Sequence, residues 1–268
     1  MFFPFAFIKN IAAASVVFDT DAQAFITAAG ITDPTQQTAI NSLVVGMKAD
    51  NIWTKMNAIY PFVGGTATTH KWNLKDPRDL DAAYRLQFFG GWTHNSNGIQ
   101  GDGSSGYANT FAATNTTAIP NLANHWSSYL KQLNTNPYGG YEGVYDYPGN
   151  FKFFGFFNSN NGSGFYLGLQ NNQGGGGVST PSFLTGTVTS GTNAVLYKNG
   201  ISVATISNPG SFINSFNYLL GAQYVISPDL YNDNVTAFTS LGNALTSTDA
   251  ANLYTRVQAF QTTLGRQI

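Results

Sequence analysis

The sequence predicts a mainly β protein: an antiparallel jelly-roll β-sandwich with an N-terminal helical segment and a C-terminal helix. Three observations predict it. From His70 onward, short β-rich runs alternate with Gly/Asn turns, the punctuation of an antiparallel sandwich. "AVLYKNGISVATI" sets Asn199-Gly200 between two such runs, the signature of a type I′ hairpin. Residues 20–59 and "TSTDAANLYTRVQAFQTTLGRQI" instead carry apolar residues at helical spacing between a capping residue and a stop.

Taken in order, "MFFPFAFIKNIAAASVVFDTD" is apolar but cut by Lys9 and Asn10, and neither half approaches the roughly 20 residues of a membrane helix. Lys9 follows the apolar run, whereas a signal peptide has its positive charge first. Residues 1–18 are therefore expected to be an apolar arm, packed on this protein or on a partner, with Phe2, Phe3, Phe5 and Phe7 as its docking rings. Pro4 keeps its first residues extended.

A helical segment, residues 19–66, comes next. Thr20 or Asp21 caps "TDAQAFITAAG" and Gly30 stops it. Asp33 caps the second helix, Pro34 suits its first position, and Ile40, Leu43, Val44 and Met47 line one face. Ile52, Met56 and Ile59 continue that stripe, which is expected to be core packing.

Residues 67–268 are expected to form the sandwich. "HKWNL" reads as a strand, and Gly90-Gly91 as a turn after "YRLQFF". "HWSSYLKQL", "FKFFGFF", "GFYLGL", "NYLLGAQYV" and "VTAFTSLGNAL" add strands, whereas "NQGGGGV" reads as a flexible loop. Thr246 or Thr248 caps the last helix, Asp249 suits its N-terminal dipole, and Leu253, Val257, Phe260 and Leu264 form its apolar face before Gly265. This helix is expected to cover one end or edge of the sandwich.

Only 9% of residues are charged, far below the usual quarter, and Asn, Thr, Ser and Gly supply the polarity. Such a surface suits stable secreted or virion proteins. The net charge of −1 and the lack of a basic stripe argue against a nucleic-acid partner. Without cysteine there is neither a disulfide framework nor a thiolate-ligated zinc.

The residues offer little for catalysis. Glycoside hydrolysis needs two carboxyls about 5–9.5 Å apart across the bond. Glu142 is the chain's sole glutamate, and its nearest acidic neighbour, Asp146, is four residues on. On a strand that places them about 13 Å apart, unless a turn between Gly143 and Tyr145 draws them together. His70, His94 and His125 fall in no paired ligand spacing, and His94 and His125 read as strand or loop residues. "GDGSSG" is no nucleophile elbow, and "GGGGV" lacks the Lys-Ser/Thr of a phosphate loop. In "KDPRDLD", a helix cap with an Asp81–Arg85 pair is preferred to a calcium site. No enzyme activity, cofactor or metal is expected.

"NPYGGYEGVYDYPGNF" sets Tyr138, Tyr141, Tyr145 and Tyr147 among glycines. These rings suit stacking on sugar faces or packing against a neighbouring subunit.

The hairpin "LYKNGISVAT", together with a helix directly after the last strand, resembles concanavalin A-like/laminin-G-like jelly rolls. The block from Asp19 to Phe111 and the closing "SLGNALTSTDAANLYTRVQAFQTTLGRQ" resemble structural proteins of tailed bacteriophages that infect Bacteroidetes, such as the crAss-like group. The resemblance implies a virion structural protein: a capsid decoration, head-fibre or tail-fibre/spike component on the particle surface. Its partners would be other virion proteins and further copies of itself, with no membrane insertion. The alternative is a carbohydrate-binding, adhesin-like domain that recognises host surface glycans.

Overall fold

The computed structural model describes residues 17–133, 140–146, 152–158, 164–166, 174–177, 180–189, 193–207, 215–224 and 227–268. Helices α1 (Thr20–Ala29) and α2 (Pro34–Ala49) come first, then strand β1 (Met56–Tyr60) and the one-turn helix α3 (Ala67–His70). Strands β2 (Gln87–Phe89), β3 (Trp92–Asn95), β4 (Gly98–Gly101), β5 (Tyr107–Ala113) and β6 (Asn124–Gln132) follow. Next are β7 (Gly140–Asp146), β8 (Lys152–Asn158), β9 (Gly164–Tyr166), β10 (Gly174–Gly177), β11 (Ser182–Thr189), β12 (Asn193–Lys198) and β13 (Ile201–Ser207). Strands β14 (Asn217–Leu220), β15 (Gln223–Tyr224), β16 (Pro228–Asp229) and β17 (Val235–Asn243) lead into helix α4 (Ser247–Thr263).

The strands build the predicted sandwich. The larger sheet runs β13-β12-β11-β6-β17-β4-β3, with β1 also paired to β17. The smaller runs β16-β15-β7-β14-β5-β2, with β8 also paired to β7. Pairing is antiparallel except between β15 and β7. Between the sheets lies one core, with Tyr60, Leu86, Trp126, Leu130, Val144, Leu184, Tyr218 and Leu241 at its centre. A second core lies on the outer face of the larger sheet. There α1, α2 and α4 bury Phe25, Ile40, Met47, Leu253, Val257 and Phe260 against Tyr129, Phe183 and Phe238.

The helical layer and the larger sheet are joined covalently and by packing. Within β1, Ala58 and Tyr60 enter the core between the sheets, whereas Met56 and Ile59 face the helices. Residues 56–60 are thus a strand and not a continuation of α2. The apolar spacing is real, but β1 is buried on both faces, which hides the period of two. The boundary at residue 66 therefore falls after a strand of the larger sheet.

Local chemistry explains the termini. Asp19, one residue before the expected caps, accepts from Asp21 N–H and caps α1, and Gly30 closes it at φ 65°. Asp33 caps α2 and Pro34 is its first residue. Thr246 and Asp249 form a reciprocal capping box on α4. That helix covers the outer face of the larger sheet rather than an end or edge. Arg256 holds Asp50, after α2, through two hydrogen bonds of 2.7 and 3.0 Å. Tyr129 of β6 donates to Gln258 Oε1 and accepts from Ile268 N–H, both at 2.9 Å.

Two further expectations are corrected. "HKWNL" is no strand: Thr66 and Thr69 form a capping box that coils the chain through His70. Asn73 then fixes a turn, its side chain bonding Ile59 N–H, Asn57 O and Ala83 O. Gly174–Gly177 of the expected loop is strand β10, paired with β9. The 199–200 hairpin is as predicted, with Asn199 at φ 50° and Gly200 at φ 76°.

Candidate functional site

Because the helices take the outer face of the larger sheet, the smaller sheet presents the sandwich's other face. Phe88 and Ala108, paired across β2 and β5, pack inward on the core. Alternation therefore turns their neighbours, the pair Phe89 and Tyr107, outward together with Gln87 and Asn109. The Phe89 and Tyr107 rings stack 4.8 Å apart at an interplanar angle of 12° and are half-buried. This stacked pair is an aromatic shelf two rings deep, with the Gln87 carboxamide beside it and that of Asn109 accepting from Phe111 N–H at 2.8 Å.

The shelf is set by a crossing of the chain between sheets. Gly90-Gly91 carries it from β2 into β3 of the larger sheet, and Asp102–Gly106 brings it back to β5. A side chain at Gly90 (φ +70°) would strike the Ser105 carbonyl at 2.1 Å, so the two crossings interlock. Asp102 accepts from Ser104, Ser105 and Gly106 N–H (2.7–2.9 Å) and from the Ser105 hydroxyl (2.6 Å). Burial raises its pKa, but the Ser105 hydroxyl and these N–H groups outweigh that and hold it well below the usual carboxylate range. The serines of "GDGSSG" thus bind a turn, not a nucleophile's base. Trp92 donates its indole N–H to Phe89 O at 2.9 Å and Tyr107 O at 3.3 Å, clamping the shelf from behind. Beside it, burial and the fields of Tyr107, Asp229 and Asp102 raise the pKa of half-buried Tyr231.

Glu142 lies in the interior. It sits on β7, 1% exposed, and accepts from the Ser128 hydroxyl at 2.7 Å. Burial raises its pKa to about 8, against hydrogen bonds from Ser128 and Tyr218. It is a neutral acid at pH 7, walled in between the sheets. β7 pairs unbroken with β8 from Gly140 to Asp146, so no turn draws Asp146 toward it.

His125 is fully buried between β6 and the helical layer. Its Nδ1 faces Asn243 O at 2.5 Å, and its Nε2 faces Ser240 Oγ at 3.2 Å, which in turn meets Ser127 Oγ at 2.6 Å. This resembles half of a serine–histidine relay, but all three side chains are 0% exposed, so no substrate reaches them. His70 and His94 meet at 3.0 Å. Asp81 pairs with Arg85 as predicted, at 2.8 Å, although Leu80 rather than an aspartate precedes the 3-10 turn there. Asp79 pairs with Lys71 and Asp76 with Arg78. Among the described residues, no group of three or more acidic or histidine side chains is placed to hold a metal ion. None of their helices is long and apolar enough to cross a membrane.

Tyr138, Tyr147, Phe2, Phe3, Phe5 and Phe7 lie outside the described residues. Tyr141 and Tyr145 occupy β7 opposite Phe157 and Phe153, and their side chains also lie outside the description. The shelf itself escaped the sequence reading. "LQFF" and "GYANTF" are individually unremarkable, and only the β2–β5 register brings Phe89 to Tyr107.

No protein-family model and no curated protein matches the chain. Its fold has counterparts among solved structures. Trypanosoma rangeli sialidase in complex with sialic acid is similar over 81% of this chain and 38% of its own, at 10% identity and TM-score 0.54. Domain 4 of AbnA, an extracellular arabinanase from Geobacillus stearothermophilus, in complex with arabinotriose, is similar over 74% of this chain and 98% of its own (14% identity, TM-score 0.47). The binding domain of Paraclostridial Mosquitocidal Protein 1 is similar over 75% and 52% respectively (11% identity, TM-score 0.43). The chain thus shares a β-sandwich with a region of the sialidase, which it spans to well under half of that protein's length.

Proposed function

We propose that this chain is a non-catalytic β-sandwich recognition module, that the outer face of its smaller sheet binds glycan, and that it serves as a structural component of a phage virion. The stacked Phe89–Tyr107 pair on the outward side of the smaller sheet carries the glycan reading. The uncovered part of an aromatic ring at a sheet surface takes the apolar face of a pyranose, while neighbouring polar side chains meet its edge. The fold supports it, since a sialidase containing such a sandwich is a glycan-handling protein. Burial of Glu142 supports a non-catalytic role, because its carboxyl has no route to a substrate. The virion reading rests on the resemblance of the blocks Asp19 to Phe111 and Ser240 to Gln267.

A glycan array followed by calorimetry tests the first reading. Tyr107→Ala and Phe89→Ala are each expected to weaken binding by roughly tenfold, the scale of one lost stacking contact. A panel without a ligand, or affinities unchanged in both variants, refutes it. A cryo-EM map of the particle tests the virion reading: density for this sandwich at a repeated surface position is expected, and its absence refutes the assignment.

A further inference from the structure

His70 closes α3 and is 1% exposed; His94, on β3, is half-buried. Their Nδ1 atoms lie 3.0 Å apart. Gly65 N–H points at His70 Nε2, at 3.2 Å. A donor there requires a lone pair on Nε2, so the proton of neutral His70 sits on Nδ1. Nδ1–H must then donate to His94 Nδ1, which leaves the His94 proton on Nε2. One backbone N–H therefore sets both tautomers. The facing nitrogens have no room for another proton, since protonating His94 Nδ1 would set N–H against N–H. They offer a metal nothing either, because one carries hydrogen and the other is already accepting.

The pair is wired to the aromatic shelf. His94 meets Phe88 edge-on, with centroids 4.6 Å apart, and Phe88 meets Trp92 edge-on at 5.3 Å. Phe62 closes the other side of His70 at 5.7 Å. Trp92 in turn clamps the carbonyls of Phe89 and Tyr107. The surrounding charges oppose an imidazolium. From the C-terminal tail the field of Arg266 acts on His70, and Lys71, next to it, is engaged with Asp79. Strand β2 and the rest of β3 bring no ionisable side chain. Burial lowers the pKa of both rings, that of His70 to about 3.

We propose that the His70–His94 pair is a proton-sensitive latch: while neutral it locks the Phe88–Trp92 corner behind the shelf, and protonation of half-buried His94 releases that corner. Its consequence for ligand binding rests on the glycan reading above; the latch itself does not.

Long-range 1H–15N correlation of the histidine rings in the full chain tests the wiring at about pH 7.5 and on titration to about pH 5. His70 as the Nδ1–H tautomer and His94 as the Nε2–H tautomer are expected, and a protonated His70 Nε2 at neutral pH overturns the proposal. Hydrogen exchange over residues 87–109, corrected for its intrinsic pH dependence, tests the release. Protection in the wild type is expected to fall roughly tenfold on acidification, and to hold in His94→Gln, whose carbonyl still accepts from His70 but does not titrate. An identical response in both proteins overturns it. Should the variant misfold, the wild-type ring titration decides: exchange must rise with the midpoint of the His94 signals, and separate midpoints overturn the latch. These readouts use no glycan, so failure of the latch and failure of the glycan reading are told apart.

Discussion

Replacing Glu142 with glutamine should stabilise this protein, and increasingly so as pH rises. The folded state holds the carboxyl neutral, raised from 4.5 to about 8 chiefly by burial. The sign follows from linkage. A raised folded pKa means that the fold binds the proton more tightly than the open chain does. This stabilises fully below the unfolded value and is lost as pH climbs through the folded one. At about 1.4 kcal/mol per unit, the loss is about 3 kcal/mol at pH 7 and about 5 kcal/mol beyond pH 8. Glutamine is isosteric, cannot ionise, and can still accept from the Ser128 hydroxyl. His70 and His125 slope the other way: burial lowers them from 6.5 to about 3 and about 4, so their contribution is lost as pH falls below about 6.5. Wild-type stability should therefore peak near about pH 6.5, and Glu142→Gln should remove the alkaline limb while leaving the acid limb. Urea unfolding of both proteins from pH 5 to about 9 checks this. A wild type equally stable at both ends of the alkaline range, or a variant weaker than wild type at about pH 8, refutes the buried neutral acid. Reducing ends released from a polysaccharide by wild type but not by the variant would refute the non-catalytic reading as well.

Gly200→Val should cost more than about 1 kcal/mol, seen as a lower denaturant midpoint, because a β-branched residue meets φ 76° and its Cβ would press on Ala251 and Tyr254 of α4 at 3.2 Å. Arg266→Met should cost about 3 kcal/mol or more. The guanidinium satisfies the carbonyls of Pro61, Phe62, Ser96 and Ala237 in a buried site, and methionine satisfies none. If the midpoint is unchanged, the tail does not lock the fold. Deleting residues 2–17 should leave the domain folded by circular dichroism and abolish self-assembly by light scattering, as a docking arm requires. Val17 is 88% exposed and Phe18 is already seated on the helical layer. Unfolding, or normal assembly, refutes the arm.

What was legible in the sequence was local. Caps, stops and the Asn199-Gly200 turn are decided within a few residues, by side chains that bond their own backbone or tolerate positive φ. The central strands were harder to place in the fold. Strands β6, β11 and β17 are buried almost throughout, because one face meets the smaller sheet and the other the helices. Their Ser and Thr residues are interior: Ser127, Ser128, Thr239 and Ser240 pair across strands instead of marking a wet face. The same double burial made β1 resemble a helix. The shelf and the histidine pair were illegible because neither is local. The shelf needs the β2–β5 register, and the imidazoles are 24 residues apart, joined where the chain crosses between sheets.

The placement of α4 decides which face of the sandwich is open to the proposed glycan binding. Its apolar stripe was evident, but not what the stripe covers. Tyr129, Phe183 and Phe238 would leave a large aromatic patch on the outer face of the larger sheet, and α2 and α4 together bury it. Arg266 then ties the tail beneath Pro61 and Phe62. One side of the sandwich is thereby committed to stability. Substitutions at its aromatic residues should act through folding alone and leave the affinity of the folded fraction intact. Gln87, Phe89 and Tyr107 face outward from the smaller sheet and fill no part of the core, so their substitution should lower the affinity of the folded fraction, with a cost in stability of no more than about 1 kcal/mol for the lost cross-strand stack. The division follows from which sheet the helices chose, and a variant that breaks it, such as Phe183→Leu altering ligand affinity without altering stability, would show that the recognition face has been assigned to the wrong sheet.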